Sequence, residues 1–308
     1  MSIQADAGTT PAHRAVAPAA TSHTRPFAWS VRREIWENRS VWIAPLAAAG
    51  FVLFGFALSI LRMSHTLKEI AKAPPDAQLA FRMLPYGIAG VAILGASVVV
   101  AVFYCLGTLY NERRDRSILF WKSMPVSDLT TLLAKIVVPL VVLPLISIVV
   151  ICATQLVMLG LNALGWAANG RDVASLWTTV PLPGFWAFVV YVTVTVTLWY
   201  APLYAWLLVL SAWARRAPFL WAILPPLAII VVEKLAFDTN WFFNLVNYRL
   251  HGGFSAAFTE LPHRHGHFQL PMPDPVKYFS TPGLWAGLAA AAALFALAVW
   301  LRRRREPM

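Results

Sequence analysis

Three groups of residues in this chain combine types and spacings that could do chemistry. The first is the stretch 111–135, NERRDRSILFWKSMPVSDLTTLLAK, by far the most charged interruption in a hydrophobic body. Glu112, Arg113, Arg114, Asp115 and Arg116 open it, Ile118 to Trp121 form a short apolar-aromatic run, Lys122 follows, and Pro125 breaks the run. Ser127 and Asp128 then mark a helix start, because a Ser oxygen caps free N–H groups and a first-turn carboxylate suits the helix dipole. The pattern predicts a short amphipathic helix, a proline corner and a long helix entering the membrane at Lys135. Headgroup binding would explain the arginines but not the two interleaved acids, so the stretch reads as a contact for a cytoplasmic partner. The second group, Glu233 and Lys234, is a charge pair near membrane depth, where ionisable residues are candidates for a path or gate; an ion pair at headgroup level is the plainer alternative. The third, His263, His265 and His267, would point one way from an extended segment and so suit zinc or copper. Exposed loop histidines are commoner, and no metal site is predicted.

Other polar residues carry less. Thr193 and Thr197 share a helix face and could line a polar path, although such threonines more often bond back to their own helix carbonyls. Ser175, His251 and Ser255 have no catalytic spacing. HExxH and HxE…CxxC patterns are absent, and Cys105 and Cys152 lie in separate apolar segments as small core residues. No P-loop or GxGxxG occurs, so no nucleotide site is expected on this chain.

The elements that must position these residues are membrane helices. Of 308 residues, 59% are hydrophobic and 13% charged, with mean hydropathy +0.63, which excludes an ordinary soluble domain. The apolar runs approach or exceed the ~20 residues that cross a bilayer. Six spans are predicted: about 41–61, 84–110, 128–161 (with Pro139 and Pro144 as kink sites), 184–213 (with Pro202 inside), one starting at 219, and 284–301. The fifth is odd. Pro225 and Pro226 fall early, and only a short apolar run precedes Glu233, which predicts a broken helix and a re-entrant or interfacial hairpin in the outer segment 233–282.

Before the first span, residues 27–41 form an amphipathic pattern. Phe27, Val31 and Ile35 share a side, Trp29 and Trp36 lie together, and Arg33, Glu34 and Glu37 fill the opposite arc. Arg32 and Arg39 interrupt the apolar side but can snorkel to headgroups. This predicts an interface helix on the inner leaflet, preceded by a disordered cytoplasmic tail at 1–26. Residues 42–308 then form the transmembrane domain. With both termini inside, inner segments hold 16 Lys and Arg against 9 outside. The positive-inside rule therefore puts both termini and 111–135 in the cytoplasm. The net charge of +11 is explained by this topology without nucleic acid.

The layout resembles the six-span membrane subunit of ABC-2 type ABC transporters. The resemblance rests on the helix before span 1, the outer hairpin between spans 5 and 6, and above all the loop 111–135. There Glu112-Arg113-Arg114-Asp115, the run 117–124, Pro125-Val126-Ser127 and Lys135 are similar to the family's charged opening, short helix, corner and helix start. Where members often carry a Gly-Thr-Leu-Glu-like turn, Arg116-Ser117-Ile118-Leu119 stands here.

The resemblance implies an all-α integral membrane protein of the bacterial cytoplasmic (inner) membrane with a cytoplasmic coupling helix between spans 2 and 3. It implies an exporter permease, not itself an enzyme. It would be paired with a second permease copy or homologue and with a separate ATP-binding subunit that holds ATP and Mg, while this chain holds no cofactor. Glu112, Arg113, Arg114, Asp115, Arg116, Ile118, Trp121, Lys122, Pro125 and Asp128 would then face the ATPase. Rival expectations are an intramembrane enzyme or assembly factor using Glu233 or the outer histidines, and an ATP-independent carrier.

Overall fold

The computed structural model describes residues 24–60, 75–117, 127–170, 172–173, 182–259 and 272–304. Its described residues are almost all helical: α1 Thr24–Glu37, α2 Ser40–Ile60, α3 Pro75–Arg114, α4 Asp128–Val137, α5 Leu143–Ala168, α6 Leu182–Trp213, α7 Pro218–Phe237, α8 Trp241–Ala257, α9 Pro275–Ser280 and α10 Pro282–Arg304. Six helices are long and apolar enough to cross a membrane: α2, the part of α3 from Phe81, α4 joined to α5, α6, α7 and α10. The chain is an all-α integral membrane protein. Its span boundaries follow the hydropathy pattern closely because apolar length is what the bilayer selects.

Local chemistry explains the irregular points. Ser127 begins α4 as expected, its Oγ accepting from Thr130 N at 3.1 Å. Between α4 and α5, the predicted kink site Pro139 lies inside a single π turn, Val138–Val142, and Pro144 just beyond it; Leu143 N–H reaches back five residues to Val138 O. Two prolines cannot donate to the regular ladder, and one widened turn absorbs the mismatch without ending the span.

The predicted break near Pro225 and Pro226 is corrected: α7 runs through both. Pro removes a donor and crowds the carbonyl one turn back, and a membrane helix can tolerate both. The break comes later, at Asp238, whose φ of 48° is left-handed, followed by Asn240 before α8. The second half of α8 runs antiparallel to α6. Trp199 Nε1 donates to Arg249 O at 2.9 Å, Tyr200 Oη to Leu250 O at 2.9 Å, and Tyr191 Oη to Ala257 O at 2.6 Å. A two-residue ladder pairs Phe258 with Pro273 and Thr259 with Met272, and Tyr278 of α9 reaches Thr195 O at 2.8 Å.

α6 is the central helix, packed most extensively on α10 and then on α3. The largest core cluster draws on α2, α3, α4, α5, α6 and α10, with Tyr104, Leu132, Leu143, Tyr204, Leu208 and Ala298 among its members. α7 is the opposite case, since no residue of it is buried.

Candidate functional site: a buried ion network at one end of the helices

Four elements bring charged groups together where α3 ends and α4 begins, and they do so inside the protein. Lys135 sits two turns into α4 and is buried, at 1% exposure. Its Nζ donates to Glu34 Oε1 of α1 at 2.7 Å and to Thr108 Oγ1 of α3 at 2.9 Å. It also lies 2.9 Å from Glu112 Oε1, an ion pair whose angles fall outside hydrogen-bond geometry. Glu34 is equally buried, and its second oxygen accepts from Tyr104 Oη at 2.9 Å. Arg33 adds a contact of 2.9 Å to Glu34 and a longer one of 3.8 Å to Glu112. Arg302, near the end of α10, donates NH1 to Glu112 Oε2 at 2.8 Å and Nε to Asp128 Oδ1 at 3.1 Å.

The network is charge-balanced: Arg33, Lys135 and Arg302 face Glu34, Glu112 and Asp128. That balance is what allows burial, because an unpaired ion in a low-dielectric interior is costly. Glu37 stands at the rim, 3.4 Å from Arg33. Burial holds its carboxyl above the ordinary value, against the pull of that arginine.

Beside the network a second knot fixes the end of α6. Arg113 is buried and donates NH2 to Ser211 O at 2.7 Å and Ala214 O at 2.6 Å, where the last turn of α6 has free carbonyls. Ser211 Oγ in turn accepts from Leu109 N and Tyr110 N, both at 3.0 Å.

The residues predicted to face a partner therefore divide. Glu112 and Arg113 are turned inward, and Asp128 is half-buried against Arg302; these three hold the protein's own helices together. Arg114, Asp115 and Arg116 are exposed, Arg114 pairing with Asp115 at 3.2 Å. Ile118, Trp121, Lys122 and Pro125 lie outside the described residues.

Helix α1 is arranged inside-out relative to a helix of a soluble protein. Its charged arc, Arg33 and Glu34, faces the protein, while Trp29 and Trp36 are 63% and 67% exposed. Arg32 lies between their rings, 5.3 Å and 4.7 Å from the centroids. An aromatic pair carrying one guanidinium matches a headgroup layer.

The path and gate candidates make the following contacts. Glu233 closes the α7–α8 corner: it accepts from Trp241 N at 2.6 Å, Phe242 N at 2.9 Å and Thr239 Oγ1 at 3.0 Å, capping the free amides of α8. Lys234 pairs with exposed Asp238 at 2.6 Å. Thr197 bonds back to Thr193 O at 2.7 Å, and both threonines are buried. His263, His265 and His267 lie outside the described residues. Among the described residues no group of three or more His, Cys, Asp or Glu could hold a metal.

Glu34, Lys135 and Arg302 belong to this network although none of them was expected as a site residue. A signal existed: Lys135 is followed by an uninterrupted apolar run, so its ammonium needed a carboxylate from another helix at the same depth. Comparison with known proteins returns no matching family, no similar curated protein and no similar solved structure.

Proposed function

We propose that the chain is the permease subunit of an ATP-driven exporter of the ABC-2 type, worked by a separate cytoplasmic ATP-binding subunit. One observation carries the reading. Both ends of the 111–128 segment are anchored in a single buried network, Glu112 at the end of α3 and Asp128 at the start of α4, and that network also grips α1 and α10. A force applied to the exposed part of the segment reaches three spans and the interface helix together. A loop that only crossed the membrane surface would need no such anchorage. The exposed charges Arg114, Asp115 and Arg116 stand ready to set register on a partner, and the segment 117–126 is the docking element. The excess of basic residues on this side supports a cytoplasmic position for both termini and this face, and a second copy or homologue completes the transporter.

The test is co-purification of the tagged chain from its native membrane in mild detergent, with the eluate assayed for a bound P-loop ATPase. Scrambling only 117–126 leaves Glu112, Arg113 and Asp128 in place. A stoichiometric ATPase lost on scrambling supports the reading. A chain that emerges alone, or an ATPase retained after scrambling, sinks it.

A further inference from the structure

A second charged group sits at the other end of the helices, and it lacks what the first network has. Arg249 of α8 lies against Gly287 of α10. Fifteen residues of helix separate Gly287 from Arg302, a rise of about 22 Å in a hydrocarbon layer of about 30 Å. Arg249 is therefore within the leaflet remote from Arg302.

Its described partners are neutral. NH2 donates to Gly283 O at 3.1 Å, NH1 reaches Trp199 O at 3.5 Å, and the guanidinium lies 4.9 Å from the centre of the Trp199 ring. A guanidinium has five N–H donors, so most of the fork is not used by any described group. The described carboxylates nearby in the chain are committed elsewhere. Glu233 caps α8, Asp238 pairs with Lys234, and Asp274 accepts from Lys277 N and Thr259 Oγ1. Lys277 Nζ donates to Ser255 O and Phe258 O, and its charge is matched by the nearby Asp274 carboxylate.

α10 is cut away to admit this cation. A Cβ on Gly287 would collide with the Arg249 guanidinium, and one on Gly283 with the Tyr248 hydroxyl. Phe242, Leu245 and Arg249 follow one another on one face of α8. The first two line an open apolar cleft of about 670 Å³ against Ile229 and Val232 of α7. A cation with no counter-ion among the described residues, on the same face of α8 as an apolar cleft, is complementary to an anion on an apolar tail.

We propose that Arg249 and the α7–α8 cleft form a binding site for an anionic phospholipid, with the phosphate on the guanidinium and an acyl chain along Phe242 and Leu245. The remaining N–H groups of Arg249 supply the charge-assisted donors, and the site prefers an acidic headgroup because a zwitterionic one brings its own cation.

The experiment uses the full chain, delipidated in detergent and offered equal amounts of phosphatidylglycerol and phosphatidylcholine with identical acyl chains. Retained lipid is read by native mass spectrometry. The wild type is expected to hold one phosphatidylglycerol in preference to phosphatidylcholine. Arg249→Gln lowers that retention by about tenfold or more, the loss of a charged hydrogen bond, and leaves phosphatidylcholine unchanged. Arg249→Lys, which keeps the charge and loses the fork, falls between, and the exposed-cation control Arg216→Gln matches the wild type. Equal retention of both lipids by the wild type, or undiminished phosphatidylglycerol on Arg249→Gln, overturns the proposal. If Arg249→Gln does not fold, the wild-type preference and the Lys variant decide: no preference, or a Lys variant equal to wild type, refutes it.

Discussion

Replacing Lys135 with Met is the sharpest test of the buried network. The substitution keeps the stem and removes one charge from a balanced set of six. Glu34 loses a partner at 2.7 Å and Glu112 one at 2.9 Å, while Thr108 loses its donor. Arg33 and Arg302 remain, so three carboxylates then share two guanidinium groups in a buried site. Stripping one partner from a buried pair costs about 3–5 kcal/mol, because the survivors stay desolvated. Lys234→Met is the control: its pair with Asp238 is as short, 2.6 Å, but exposed, and its loss is expected to stay within about 1 kcal/mol. Adding Glu34→Gln to Lys135→Met restores neutrality and should recover about 0.5–3 kcal/mol of the loss, as a coupled pair does. Reversible unfolding by SDS in mixed micelles measures the wild type, Glu34→Gln, Lys135→Met, Lys234→Met and the double variant. Lys135→Met behaving like Lys234→Met, or a double variant as unstable as the sum of its parts, would refute the assignment of this network as a buried structural unit.

Two further outcomes follow from the corner and the ladder at the other end. Glu233→Gln should speed hydrogen exchange at the Trp241 and Phe242 amides while leaving peptides around Lys135 unchanged, because the carboxylate serves only the start of α8. Asp274 accepts from Lys277 N and Thr259 Oγ1, and these bonds hold its carboxyl below the ordinary value. A depressed folded-state pKa contributes stability above the unfolded value and loses it as pH falls through the folded one. Protection of the 272–280 segment, corrected for intrinsic rates, is therefore expected to hold near neutrality and to fall at pH below about 4. Asp274→Asn should be less protected near neutrality and should lack that fall.

The spans were legible because bilayer thickness is a length, and an apolar run reports length directly. The start of α4 at Ser127 and the irregularity between Pro139 and Pro144 were legible for the same kind of reason: each depends on the local backbone alone. The break between α7 and α8 was misplaced from Pro225 to Asp238, because a proline reports a missing donor but not whether the surrounding helix accepts the loss. The orientation of charges was the least legible. Periodicity separates the Trp29–Trp36 side of α1 from the Glu34 side but does not say which faces the protein. In water the apolar side turns inward; at a membrane surface the aromatic side meets lipid, so Glu34 turned inward. Glu112 and Arg113 were open to a similar misreading, since a charge at a span's end looks the same in sequence whether it meets solvent or a neighbouring helix.

An apolar seam could have joined α1, α3, α4 and α10 at comparable stability, since buried ion networks often gain little over well-packed hydrophobic side chains. What charges add is register. Lys135 can reach Glu34, Glu112 and Thr108 together only if the helices carrying them are at one height, whereas an apolar seam tolerates sliding. A shift that parted Lys135 from Glu112 would also move Arg302, which shares that carboxylate and carries Asp128 with it. Movement at this end is therefore discrete: the four elements shift as a set or the network opens. The outer parts of α7 and α8 have no equivalent tie, joined as they are by a single capped corner at Glu233. On the proposed function, a partner acting at 117–126 would push on a rigid end, and the displacement should be largest where α7 and α8 meet.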